Sequence, residues 1–242
     1  MEAKDRVLKE LRAALEHERR INLHRYPIKL RMIDDDLVLE GEVENIAAKK
    51  LALEFAGAAH SIHRIVDRLR VAPAAPMGDA EIRDHVCRAL LQEPALTASA
   101  IRMKSRDQAV TIREPESEPA GEIVVEVDDG VVILNGQVQS LSHKRLAGVL
   151  AWWVPGSRDV INGLEEVPPQ QDNDDEVADA VRLVLEKDPF VRADQISVHV
   201  RNYVVTLDGL VPDEKVKEMT EFDVWYVFGV DRVVNRLRQE RP

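Results

Sequence analysis

The sequence predicts an α+β protein made of three repeated α-β-β-α-β units, each a three-stranded mixed sheet with two helices on one face. Three observations predict it. The stretch SIHRIVDRLR at 61–70 returns as GSRDVINGLE at 156–165 and as GVDRVVNRLR at 229–238. Each copy closes a segment begun by a glycine: Gly41 in LVLEGEV, Gly136 in VVILNGQV and Gly209 in VVTLDGLV. From that glycine to the last leucine of the echo, Leu69, Leu164 or Leu237, the distance is 28 residues each time. Self-similarity of this kind is the mark of a repeat architecture.

The elements follow in order. Before each glycine runs an alternating pair of segments: IKLRMIDDDLVLEGEV (28–43), IVVEVDDGVVILNGQV (123–138) and ISVHVRNYVVTLDGLV (196–211). Period-two alternation predicts strands with one buried face, and the polar centres DDD, DDG and RN predict hairpin turns. A helix comes next, opened by Asn45, Ser140 or Asp213. These residues suit N-caps because a side-chain oxygen accepts from the free first-turn N–H groups. Gly156 and Gly229 fit a left-handed C-cap, which Ser61 does not. RIV, DVI or RVV then supplies the third strand. An amphipathic helix precedes each hairpin, as in DNDDEVADAVRLVLEKDP, where Val177, Val181, Val184 and Leu185 fall at helical spacing.

The second unit breaks the spacing. Pro94 to Ile101 matches Pro189 to Ile196, yet counting back from Gly136 starts the first strand at Ile123. The unit therefore carries an insertion of 22 residues, near 101–122. IRMKSRDQAVTI alternates like a hairpin about a polar RDQ turn, and REPESEPAGE reads as a Pro/Glu-rich loop. The expected domains are 1–72, 76–168 and 172–240.

Composition excludes several classes of function. At 242 residues, 45% hydrophobic and 32% charged, the chain is globular. A net charge of −11 argues against nucleic acid as a partner. Cys87 is the one cysteine, so no intramolecular disulfide or CxxC pair exists, and its helical apolar setting predicts a core residue. No apolar signal-peptide core or membrane-length run is seen, which predicts a cytoplasmic protein, membrane-peripheral at most. There is no GxSxG, P-loop or GxG. His17-Glu18 lacks the second histidine of HExxH, because residue 21 is Ile. His60 and His63 lack a third ligand. Asp34-Asp35-Asp36 reads as a solvated turn, and the acidic run 172–176 as helix N-terminal charge. The expectation is no catalytic residue, no metal and no cofactor.

The repeat resembles a known family. V-x-L-x-G-x-V, a helix and a closing G-V-x-x-V-x-N-x-L look like the BON domain (bacterial OsmY and nodulation). The third unit matches through Gly209, Gly229, Val230, Val233, Asn235 and Leu237. The second matches through Gly136, Gly156, Val160, Asn162 and Leu164. The first departs at Ser61 and Asp67. The resemblance implies a non-enzymatic module that binds phospholipid or cell-envelope components, often in proteins that maintain the envelope under stress. A relative joined to a LysM module senses potassium, so a small-ion sensor is one alternative, and a protein–protein assembly module is another.

Two groups of residues are candidate contacts. Residues 1–72 hold 14 Lys and Arg against 13 Asp and Glu, whereas 73–169 hold 9 against 15 and 170–242 hold 10 against 16. The base in the first unit gathers at Arg19, Arg20, Arg25, Lys29 and Arg31, with His17 and His24 nearby. It could meet anionic lipid headgroups or dock on an acidic partner surface. The second group is aromatic: Trp152-Trp153 and Trp225-Tyr226 stand 16 and 17 residues after their glycines. Adjacent helical positions point about 100° apart, so one member of each pair is expected at a surface, as a membrane-interface or protein contact such as a homo-oligomer interface, or packed between units two and three.

Overall fold

The computed structural model describes residues 2–59, 62–105, 108–115 and 120–240. His60, Ser61, the Arg106–Asp107 part of the RDQ turn and residues 116–119 lie outside the described residues. The chain divides into two units, Met1–Ala72 and Pro73–Pro242.

The first unit runs α1 (Glu2–His17), β1 (Lys29–Ile33), β2 (Asp36–Val43), α2 (Ile46–Ala58) and β3 (Arg64–Val71). Its sheet has the order β1-β2-β3, antiparallel across the hairpin and parallel across the α2 crossover. Leu11 and Leu15 of α1 and Leu51 and Ala52 of α2 are buried with Leu37 and Leu39 of β2. Asn45 caps α2, accepting from Ala48 N at 2.9 Å.

The second unit contains two further passes, one through the same element order and one that adds two strands after its first helix. The first pass is α3 (Asp79–Gln92), β4 (Ser99–Ser105), β5 (Gln108–Arg113), β6 (Gly121–Asp128), β7 (Val131–Val138), α4 (Leu141–Trp152) and β8 (Asp159–Glu166). The second is α5 (Asp174–Lys187), β9 (Ile196–Arg201), β10 (Val204–Val211), α6 (Glu214–Tyr226) and β11 (Arg232–Gln239). Ser140 and Asp213 cap α4 and α6 as expected, accepting from His143 N and Val216 N.

A three-stranded sheet is found in the first and last passes. The middle pass differs: its sheet has five strands, in the order β5-β4-β6-β7-β8. The 22-residue surplus is the reason. It folds as a hairpin whose first strand, β4, lies parallel to β6 and pairs Ile101 with Ile123, both fully buried. The two competing strand starts thus both exist, side by side. Arg102–Glu122 at 2.7 Å and Lys104–Glu126 at 3.0 Å bridge these strands. Arg113 secures the return strand by donating to the Ser99, Leu91 and Leu96 carbonyls.

Each repeat glycine has one physical cause. Gly41, Gly136 and Gly209 take φ values of +146°, +119° and +149°. A Cβ on them would lie 2.6, 2.1 and 2.2 Å from the carbonyl oxygens of Pro27, Glu122 and Gln195, on the chain entering or forming the facing strand. Only a residue without a side chain permits that approach. Gly229 is left-handed as expected, at φ +88°. Gly156 is not, and this corrects the C-cap reading. It is a packing position, where a Cβ would meet the Met77 Cβ at 2.6 Å and Ile82 at 2.9 Å.

The repeat asparagines tie helix to sheet. Asn162 and Asn235 donate to the Lys144 and Lys217 carbonyls at 2.7 and 3.1 Å, and accept from the Leu164 and Leu237 amides. Asp67 stands at that position in the first unit and cannot donate as a carboxylate. There the Lys49 ammonium reaches in instead, 3.0 Å from Asp67 and 2.9 Å from the Leu69 carbonyl. The acid run at the start of α5 also has a structural task. Asp174 accepts from Asn202 N at 2.8 Å and Tyr203 N at 2.9 Å, holding a turn whose residues have φ of +50° and +60°. Asp79 does the same for Asp129 and Gly130.

Candidate functional site

The basic group of the first unit lies on the loop after α1 and on β1. Ile21 and Ile28 are buried, while most of the residues between them are exposed. Asn22 shapes the loop, accepting from Arg25 N at 3.1 Å while its carbonyl accepts from Tyr26 N at 2.8 Å. A cavity of about 540 Å³ opens here, lined by Arg12, Arg19 and His24 with Glu16, Glu18 and Ile21. The five predicted bases do not behave alike. Arg20 pairs with Glu18 at 3.1 Å and Arg31 with Glu40 across the hairpin. Arg25 lies over the Tyr26 ring at 5.3 Å, a cation–π contact. Among the described residues, Arg19, Arg25 and Lys29 meet no carboxylate, and all three are exposed.

The aromatic residues gather within the second unit. Trp225 is fully buried, so this predicted contact is a core residue. Trp152 stacks on Tyr226 with ring centroids 5.5 Å apart and planes at 21°, which joins the end of α4 to the end of α6. Trp153 is half-buried and donates from Nε1 to Asp223 Oδ1 at 2.8 Å. The pairs are therefore used inside the unit, one repeat against the next.

Sequence reading missed the polar centre of this junction. Arg145 on α4 has no solvent exposure; its guanidinium donates to both Asp172 oxygens at 2.7 Å and to the Phe228 carbonyl at 2.8 Å. Lys187 adds a pair to buried Glu93 at 2.8 Å. The available signal was an arginine followed at once by an apolar helix face, LAGVLAW.

A second cavity, of about 410 Å³, lies beside Trp153 and is lined by Asp188, Phe190, Phe222, Asp223 and Tyr226 among others. Burial, then a hydrogen bond and repulsion from Asp188, push the Asp223 carboxyl up to about 8, although the Trp153 hydrogen bond pulls the other way. Burial and the Asp223 charge push Tyr226 up to about 12. Burial pushes the Cys87 thiol up to about 11, as suits a core residue.

The Asp223 proton makes stability depend on pH in a known direction. The unfolded carboxyl loses its proton near pH 3.8, while the folded one keeps it to about 8. Its contribution is full below the lower value and is lost as pH rises through the upper one. Asp223→Asn, which keeps an acceptor for Trp153 and a donor toward Asp188, is expected to match the parent near pH 4 and to exceed its melting temperature near pH 8. Circular dichroism melts across that range check it; parallel curves would contradict it.

Among the described residues, no three or more His, Cys, Asp and Glu side chains group to hold a metal ion. No described helix is long and apolar enough to cross a membrane.

A family model described as the BON domain matches residues 115–168, the later part of the second repeat, and 173–241, the third. No curated protein matches the sequence. Among solved structures, the chain is similar to the C-terminal domain of CdsD, the structural protein of the Type III secretion system of Chlamydia trachomatis. The identity is 15%, covering 91% of this chain and 93% of that one, with a TM-score of 0.24. A second CdsD structure gives 14% identity, coverage of 96% and 92%, and the same TM-score of 0.24. Scores at that level do not establish a shared arrangement.

Proposed function

Because the chain belongs to the BON domain family, we propose that it is a non-catalytic binding and scaffold protein whose first unit meets an anionic phospholipid surface of the cell envelope. Residues 1–72, which lie outside the family match, serve in this reading as a divergent third copy specialised for contact. One observation carries it: Arg19, Arg25 and Lys29 are exposed within one loop and strand, and none of them forms an ion pair among the described residues. The second unit, with 19 Lys and Arg against 31 Asp and Glu, is repelled by the same surface. The charge division therefore favours contact through the first unit.

Each base near an anionic leaflet contributes about 1 kcal/mol, so three contribute about 3 kcal/mol, or roughly a hundredfold in partitioning. The protein is expected to float with phosphatidylglycerol-containing vesicles at low salt and not at high salt, and not with pure phosphatidylcholine vesicles. Arg19→Glu/Arg25→Glu/Lys29→Glu is expected to abolish flotation, while Arg31→Ala, which removes a base already paired with Glu40, changes it little. Flotation that is insensitive to salt and to the triple substitution overturns the reading.

Protein association is the second reading. It is favoured by β5, an edge strand with Val110 and Ile112 at 50% and 39% exposure. Unpaired strand edges carrying apolar residues invite pairing with another chain. A light-scattering mass of one chain, together with no flotation, would remove both readings of a surface or self-assembled scaffold.

A further inference from the structure

The cavity beside Trp153 has a composition that the membrane reading does not use. Its walls are Trp153, Phe190, Phe222 and Tyr226, and its polar groups include two carboxyls, Asp188 and Asp223. Asp223 is only 5% exposed; its Oδ1 accepts from Trp153, and apart from the Asp188 carboxyl no group is placed to bond its Oδ2. Asp188 is buried as well, at 8% exposure, and its Oδ1 accepts from the Phe190 amide at 2.8 Å. Two acceptors thus face one another in an apolar setting. A buried pair of this kind lacks one positive charge. Phe190 stands at the rim with 68% of its surface exposed, an unfavourable place for a phenyl ring that has no partner to cover.

We propose that this cavity is a binding site for a small soluble organic ammonium ion. Aromatic faces attract such cations through their negative quadrupole, and a carboxylate at the base supplies the countercharge. The volume of about 410 Å³ lies within the range of small-molecule sites and exceeds what a bare ion needs. Calcium, by contrast, takes about six to eight oxygen ligands, whereas the side chains here supply two carboxyls. An anion is rejected by the same two carboxyls. Entry of the cation replaces the Asp223 proton, which leaves the protein for solvent. Phe190, in the cavity wall, adds its ring to the contact with the bound group.

The test titrates choline, and its neutral carbon isostere as control, into the intact protein. Isothermal calorimetry and tryptophan fluorescence are followed at a pH of about 8, where Asp223 gives up its proton. One saturable site is expected, with the isostere at least tenfold weaker. Asp223→Asn is expected to weaken choline at least tenfold without lowering the melting temperature, and Phe190→Ala, at an exposed position, to weaken it several-fold. Choline binding without flotation on phosphatidylcholine vesicles identifies a free solute rather than a lipid headgroup; flotation on them overturns the soluble ligand. No binding, equal binding of the isostere, or full binding by both variants overturns the site.

Discussion

Replacing Arg145 with alanine is expected to lower the stability of residues 73–242 by about 3 kcal/mol. The guanidinium is wholly buried and makes three hydrogen bonds, two to Asp172 and one to the Phe228 carbonyl. Its removal strands a carboxylate and a carbonyl at the junction between two repeats. The figure sits at the low end for broken buried pairs because Asp172 keeps 31% side-chain exposure and can regain water. Asp172→Asn alone leaves the buried cation without a full countercharge and is expected to cost a similar amount. Because both substitutions remove one interaction, the double variant is expected to lose less than the sum, and a double-mutant cycle by urea denaturation measures that coupling. Strict additivity would contradict the role assigned to the pair. So would a cost within about 0.5 kcal/mol for Arg145→Ala, the range of ordinary surface changes.

Gly209→Ala is expected to be as damaging, at about 3 kcal/mol or more. The added methyl would sit 2.2 Å from the Gln195 carbonyl oxygen in a backbone held at φ +149°. Neither the clash nor the strain can be relieved by a rotamer, since the offending atom is backbone. Gly57→Ala provides the contrast. Gly57 lies in α2, and a Cβ there would approach nothing nearer than the Ile65 Cδ1 at 3.9 Å. Alanine is the better helix former, so a gain of about 0.5–1 kcal/mol is expected. Melting temperatures of the two variants moving in the same direction would contradict the reading of the repeat glycines.

What could be read from sequence was what short-range chemistry decides. The N-caps Asn45, Ser140 and Asp213 bond within three residues of themselves, and the turn residues Asn202 and Asp129 answer to local backbone sterics. The glycine spacing marked the repeat without revealing that a facing carbonyl oxygen excludes any side chain there. What could not be read were partners chosen across long intervals. Arg145 is separated from Phe228 by 83 residues, and a helical arginine ordinarily faces water. Trp225 and Tyr226 are sequence neighbours whose fates differ, one buried and one stacked on Trp152, because the facing repeat decides which side is covered. The surplus near 101–122 showed its alternation, but its place beside β6 depends on an edge that no local pattern encodes. At the candidate contact surface, the clustering of base was legible in the sequence. Which bases were already neutralised, Arg20 by Glu18 and Arg31 by Glu40, required the fold.

Hydrogen–deuterium exchange of the intact protein, with and without phosphatidylglycerol-containing vesicles, tests the central claim most directly because it reports where the surface is met. The account predicts added protection across 18–31, which contains Arg19, Arg25 and Lys29, and unchanged exchange throughout 73–242. Protection confined to 73–242, or spread evenly over both units, would contradict it.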